Sequence, residues 1–475
     1  MNHQTKRLSV GAALFFALLF AFSPRLVAAQ HKPPTAFVDV NVVPMDREIV
    51  LSHQTVVVED GKIVALGPAH SVKIPVGSQR IDGTNRYLMP GLVDMHVHFI
   101  RPAIPGKPQK SSAETYAKEN ERLALLFVAN GVTTVRNMWG HPEILELNDH
   151  ILSGEILGPT IYSVGPITDG DPPDNMGSRV VITEQEAQEA VREDKERGYI
   201  AIKVYNNLSV SAYRAIVAAA AKENLPVVGH VPKAVGLTGA LEAHQASLEH
   251  FGAGFARAAL PDGTPQDRLS LNDMLERADL SKLPAAAKLV KAAGVWTCPT
   301  VVLVQRDAAN DIWARARSFV PSDLVERYKK ERLPPLVASS EAFALAVVRA
   351  LHSEGAGLLL GTDTYKPNVI PGFSLQEELT YFVKAGLSPY DAIRAGTSDA
   401  ARFLHRENEF GTVAVGRRAD LLLLTANPLE SVGNVANRVG LMLRGDWLSE
   451  GELQIKLKQP RSVSAESAEP KGGRP

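Results

Sequence analysis

The sequence is poor in three things, and each shortage excludes a class of protein. There is one cysteine, Cys298, in 475 residues. That rules out an intramolecular disulfide and a thiolate metal cluster. Any metal has to be held by His, Asp, Glu or a less usual ligand. No charge of one sign is in surplus, since 51 basic and 52 acidic side chains give a formal net charge of −1. Nothing there supplies the basic patch that nucleic acid requires, so nucleic acid is set aside as a partner. The N-terminal apolar run "LSVGAALFFALLFAFS" (8–23) is also too short for a membrane span, which needs ~20 residues.

That run has the flanks of a different element. Lys6 and Arg7 precede it, and "PRLVAAQ" follows, with the small residues Val27 and Ala29 where a signal peptidase reads. The expectation is a signal peptide over 1–29, cleaved after Ala29, and a mature protein that is periplasmic or secreted with no stable membrane anchor. No cysteine near the cleavage site offers a lipid attachment point. Cleavage removes Lys6, Arg7 and Arg25 and no acid, so the mature chain has 48 basic and 52 acidic side chains. A homo-oligomer is left open.

Hydrophobic residues make up 45% and charged residues 22%, as in an ordinary globular protein. The length suits a barrel of ~250 residues with a smaller module. "AFVDVNVV" and "QTVVVEDGKIVALGP" near the start, and "RRADLLLLTANPL" and "NRVGLMLRGDWL" near the end, all read as β-rich. One β-module can be assembled from both chain ends. Between them, eight apolar runs alternate with helical stretches: "GLVDMHVHF", "GVTTVRNM", "TIYSVGP", "YIAIKVYN", "LPVVGHV", "ASLEHF", "VWTCPTVVL" and "AGLLLGTDT". Strands buried on both faces read as continuous apolar runs. Eight strand-helix units predict an α/β fold, a (β/α)8 TIM barrel. The tail from Lys458 to Pro475, rich in Ser, Pro, Gly and charge, is expected to be disordered.

Unusual polar residues fall at matching places on this map. His96 and His98 close the first run, Lys203 sits in the fourth, His230 ends the fifth, His250 ends the sixth and Asp363 follows the eighth. All lie at or near the C-terminal end of a barrel strand, where this fold holds its active site. Residues i and i+2 of a strand face the same side, so His96 and His98 can share a ligand. Each residue alone has a plainer reading: a hydrogen-bonded histidine, a lysine reaching solvent, an aspartate in a turn or helix cap. Their coincidence at one end of five strands favours a metal site.

Lys203 cannot bind a cation as an ammonium. Burial lowers its pKa from about 10.4, and a neutral amine can take up carbon dioxide as a carbamate, an anion with two oxygens. The expected centre is binuclear. His96, His98 and Asp363 hold one divalent ion, His230 and His250 the other, and carboxylated Lys203 joins them. Imidazole and carboxylate ligands suit Zn²⁺.

These residues together resemble the amidohydrolase superfamily, in its binuclear subtype with a carboxylated lysine. "PGLVDMHVH", "IKVYNN", "VVGHV", "LEHF" and "GTDT" are similar to its ordered ligand motifs. "LSPYDAIRAGTSDAARFL" and "GTVAVGRRADLLLL" resemble the segments that close its barrel and rejoin its β-sandwich. With the signal peptide at 1–29, the resemblance implies sandwich segments at 30–89 and 408–457 and a barrel at 90–407. Within the superfamily the chain looks closest to the imidazolonepropionase-related, Xaa-Pro dipeptidase-like group. Lys203 argues against imidazolonepropionase itself, which has one metal and no carboxylated lysine. "KVYNNLS" departs from the residues that follow the lysine in the prolidase-like members, so dipeptide specificity does not carry over.

The implied reaction is hydrolysis of a C–N bond, an amide or peptide of small size, by a metal-bound hydroxide. Asp363 passes a proton from the nucleophile to the leaving amine. Tyr205 is a candidate oxyanion donor or a residue packed at the rim. His141 is a candidate substrate contact or a loop histidine. Asn206 and Asn207 are candidate caps for the helix that follows. The same centre could serve a lactonase or another ester hydrolase, and a non-catalytic scaffold is the remaining alternative.

Overall fold

The computed structural model describes residues 32–100, 113–265, 269–304, 319–320, 336–364, 366 and 368–458. The signal segment, nearly all of the tail, and most of the loops 100–112 and 302–325 lie outside these residues. No described helix is long and apolar enough to cross a membrane.

Each of the eight apolar runs forms a strand. Leu92–Val97, Val132–Asn137 and Thr160–Ser163 make a parallel three-stranded sheet. Ile202–Val204, Val227–Gly229, Ser247–Glu249, Trp296–Cys298 and Gly357–Leu358 follow in order in a second parallel sheet. Two short strands, Ile167–Asp169 and Arg179–Val180, extend its first edge. Backbone hydrogen bonds join the two sheets at both ends. Ile200 N donates to Ser163 O and Gly165 N to Ala201 O, both at 2.9 Å. Met95 N donates to Leu360 O at 2.8 Å, Asp363 N donates to His96 O at 2.7 Å, and Val97 bridges Thr364 in parallel. The eighth strand therefore returns to the first.

The strand sequences explain this arrangement. Every residue of Leu92–Val97 and of Val132–Asn137 is buried, as expected for strands covered on both faces. Two of the helices between them have well-defined ends. Glu184–Glu196 starts at a capping box of Thr183 and Glu186 and buries Ala187, Ala190, Val191 and Asp194 along one stripe. Leu283–Ala293 stops at Gly294, which takes the left-handed conformation at φ 69°.

The two chain ends share one eight-stranded sheet. Its order is Asp446–Ser449, Arg438–Leu443, Leu421–Leu424, Tyr87–Pro90, Thr35–Val42, Leu51–Glu59 and Lys62–Pro68, with Gln79–Asp82 pairing onto Thr35–Val42. The junction is the antiparallel pair Tyr87–Pro90 and Leu421–Leu424. The four leucines alternate between two cores. Leu421 and Leu423 pack with Phe37, Val40 and Val56, while Leu422 and Leu424 join the large core of the strand ring. The run 437–448 forms two strands, because Arg444 and Gly445 both have positive φ, at 49° and 89°, and turn a tight hairpin.

Pro90 ends a strand of this sheet and Leu92 begins the ring. Gly91 between them admits no side chain, since a Cβ there would lie 2.3 Å from Thr133 Oγ1.

Candidate metal centre

The expected ligands come together at one end of the ring. The imidazole rings of His96 and His250 have centroids 4.8 Å apart, as do those of His230 and His250, and His98 lies 5.3 Å from His96. Asp363 Oδ1 sits 2.8 Å from His98 Nε2 and 3.3 Å from His96 Nε2. One ligand atom from each of His96, His250 and Asp363 lies within 4.8 Å of the other two. His250 and Asp363 both hold left-handed backbones, at φ 71° and 61°. Such strain costs about 1–3 kcal/mol per residue and gathers at functional sites.

Three of the imidazoles are pinned through Nδ1. His96 Nδ1 meets Glu249 Oε2 at 2.8 Å, His230 Nδ1 meets Asn206 Oδ1 at 2.9 Å, and His250 Nδ1 meets Thr300 Oγ1 at 2.7 Å. That leaves Nε2 of each ring turned away from these partners. Nε2 of His96 is buried without a hydrogen bond. Such orientation by an outer partner is what metal-bound histidines show.

The electrostatics suit a cation. Burial holds His96 and His230 well below the ordinary histidine range, lowers His98, and brings His250 down to about 4, so all four rings are neutral near pH 7. Burial alone would raise the Asp363 carboxyl. Lys366, at 2.7 Å from Oδ2, and the hydrogen bond from His98 oppose it and keep the group ionised. Burial lowers Lys203 to about 8, although Glu249 and Asp363 pull it back up. Its side chain is among the largest fully buried ones, and no hydrogen bond or ion pair joins its ammonium to a described residue. Neutral imidazoles, an ionised carboxylate and a buried amine fit divalent metal ions.

The supporting groups escape a search for ligands alone. Arg136 is fully buried and donates to Met95 O at 2.7 Å, to Ser247 Oγ at 3.0 Å and to both Glu249 oxygens at 2.9 and 3.0 Å. Asp94, pushed up to about 7 by burial, accepts from Thr362 N and Oγ1 and ties the first strand to the last. A signal for all three was present. Asp94, Arg136 and Glu249 are charged residues inside otherwise apolar strand runs.

Other expectations fall differently. Asn206 and Asn207 do not cap the next helix. Ser209 caps Val210–Lys222, accepting from Ala212 N, because a hydroxyl three residues before that amide reaches it directly. Tyr205 lays its ring on His230, with centroids 3.9 Å apart, and its hydroxyl hydrogen-bonds Asn175. His141 stands just before the helix Pro142–Leu152, with Nδ1 2.9 Å from Glu143 Oε2. Its neighbour Trp139 meets His98 edge-on at 6.3 Å.

A cavity of about 310 Å³ opens beside the cluster. Val231, Phe251, Phe255, Leu271, Leu303 and Leu336 give it an apolar wall. His230, His250, Asp363, Asn206 and Lys366 give it a polar corner.

Comparison with known proteins agrees with this geometry. Residues 87–448 match the model of the amidohydrolase family. Ochratoxinase of Aspergillus niger is 26% identical over 391 residues, which cover 73% of this chain and 71% of that protein. The crystal structure of a Xaa-Pro dipeptidase with methionine bound in its active site superposes with a TM-score of 0.65 at 22% identity, over 88% of this chain and all of that one. The structure of bottromycin amidohydrolase does so at 0.67 and 24% identity, over 90% of this chain and 89% of that one. At these identities the structural likenesses carry the fold, and the match to the family model carries membership. The chain belongs to the amidohydrolase family and is a hydrolase acting on carbon–nitrogen bonds.

Proposed function

We propose that this enzyme is an exported amidase or peptidase with a binuclear metal centre, built on a (β/α)8 barrel (90–407) with a small β-sandwich from both chain ends (30–89 and 408–457). His96, His98 and Asp363 would hold one ion, His230 and His250 the second, and carboxylated Lys203 both. One observation carries this reading: Lys203 is buried beside four imidazoles, and no acid among the described residues lies within ion-pairing distance. A buried, unpaired ammonium costs several kcal/mol. A carbamate on Lys203, held with divalent metal ions, would remove that cost.

Bound zinc would polarise the scissile carbonyl and lower the pKa of water. The chain's own residues do the rest. Asp363, ionised at the centre of the cluster, accepts the proton of the attacking water and returns it to the leaving amine. The apolar wall takes the apolar part of the substrate and excludes water, while Asn206 and Lys366 offer a donor and a charge to its polar part. Tyr205 and His141 stand as secondary candidates for oxyanion and substrate contacts. Amide and peptide substrates are favoured over lactones because ochratoxinase, a Xaa-Pro dipeptidase and bottromycin amidohydrolase are among the similar proteins. The signal-like segment supports a periplasmic or secreted location. A purified mature protein beginning at Gln30 would agree with it.

The test is metal analysis of the mature protein, then a panel of N-acyl amino acids, dipeptides and lactones. About two zinc ions per chain and turnover of amides are expected. Lys203→Ala should lose metal and activity together, with partial rescue by short carboxylic acids. Full activity in metal-stripped Lys203→Ala protein would refute the carbamate. Turnover of lactones alone would move the enzyme to the ester hydrolases.

A further inference from the structure

The polar loop "TDGDPPDNMG" (168–177) contributes no expected ligand, yet it decides how one is presented. Asp169 is fully buried. Its Oδ1 accepts from Gly170 N at 2.9 Å and Asn207 N at 2.6 Å, and its Oδ2 accepts from Asp174 N at 2.9 Å. These bonds hold Asp174 against the segment that follows Lys203. Asp174 then receives two side-chain amides. Asn207 Nδ2 donates to Oδ1 and Asn206 Nδ2 to Oδ2, each at 2.7 Å.

An ionised carboxylate only accepts. Both amides must therefore turn their NH₂ toward Asp174 and their carbonyl away. Asn207 supplies an independent check, because its carbonyl oxygen meets Lys233 Nζ at 2.8 Å, a group that only donates. The Asn206 carbonyl oxygen meets His230 Nδ1 at 2.9 Å. It too can only accept, so the imidazole proton belongs on Nδ1 and the lone pair on Nε2.

We propose that Asp174 is a positioning residue for the metal centre, acting through Asn206 to fix the Nδ1–H tautomer of His230 and so present Nε2 to the metal. The proposal rests on His230 being a ligand. The other imidazoles differ. Glu249 fixes His96 directly, and the Thr300 hydroxyl at His250 can donate or accept and so selects neither tautomer. For His230 the deciding carboxylate stands one amide away, on a loop whose Asp174 side chain is 34% exposed.

The test reads the tautomer by ¹⁵N NMR on metal-free, ¹⁵N-histidine-labelled protein, with the His230 signals identified by their loss in His230→Gln. Wild type should be Nδ1–H. Asp174→Ala frees the Asn206 amide to turn over, so a mixture with the Nε2–H form is expected. Zinc affinity in chelator competition should fall roughly 10–100-fold, the usual effect of losing an outer-shell partner. The exchange Asp174→Asn with Asn206→Asp restores an acceptor against His230 and a donor between the two side chains. It should recover both the tautomer and the affinity. An unchanged tautomer in Asp174→Ala, or a loss that the exchange leaves unrepaired, would overturn the proposal. Failure of wild type to bind zinc would instead remove the metal reading, and the tautomer measured without metal would still decide the relay.

Discussion

The buried pair beneath the candidate metal centre separates two roles of one carboxylate. Glu249 neutralises Arg136, and it also receives His96 Nδ1. Both side chains of the ion pair are fully buried. Glu249→Ala leaves the guanidinium buried with bonds to Met95 O and Ser247 Oγ and no counter-charge. Breaking such a pair from one side costs about 3–5 kcal/mol. At an unfolding entropy of about 2.1 cal/mol/K per residue, a chain of this size then loses roughly 3–5 °C in Tm. The double variant Arg136→Met/Glu249→Leu removes both charges and keeps the volume filled. Such replacements are often neutral, so its Tm should return to within about 1 °C of wild type. Neither variant gives His96 Nδ1 an acceptor, so both should bind zinc about 10–100-fold more weakly. Thermal unfolding of metal-free protein, followed by chelator competition, measures the two effects apart. Wild-type zinc affinity in the double variant would refute the orienting role. A wild-type Tm in Glu249→Ala would refute the cost of the orphaned arginine.

Further outcomes can be checked on the same protein. Asp363→Asn should depress kcat far more than it raises KM, and an unaltered kcat removes Asp363 from proton transfer. His250 titrates near 4 when folded, against 6.5 unfolded. Between those values the unfolded chain binds the extra proton, so the metal-free protein should lose stability as pH falls from about 6.5 to 4. A flat urea midpoint over that range contradicts a buried neutral cluster. Gly91→Ala drives a methyl into Thr133 and should cost about 1–3 kcal/mol, read in the same denaturation assay.

The ring strands were legible because strands covered on both faces leave continuous apolar runs. The candidate ligands were legible as a set because each stands at or near the C-terminal end of such a run. What sequence could not give is partnership across space. Nothing local to "SLEH" says that Glu249 meets an arginine 113 residues away. Nothing in "YNN" says that these amides serve a loop some thirty residues earlier rather than the helix beside them. The hairpin at Arg444–Gly445 is hard to place for another reason. A non-glycine residue at φ 49° leaves no mark in an apolar pattern.

The pairing of Tyr87–Pro90 with Leu421–Leu424 also sets a clock on biogenesis. The two strands are made about 330 residues apart. At ribosomal speeds of roughly 5–20 residues per second, the first waits on the order of 15–65 s for its neighbour. During that interval one edge of a β-sheet and the apolar side chains it will cover face whatever surrounds the nascent chain. A strand in that position invites pairing with the wrong edge. Keeping the chain unfolded until its last hundred residues exist would close that window.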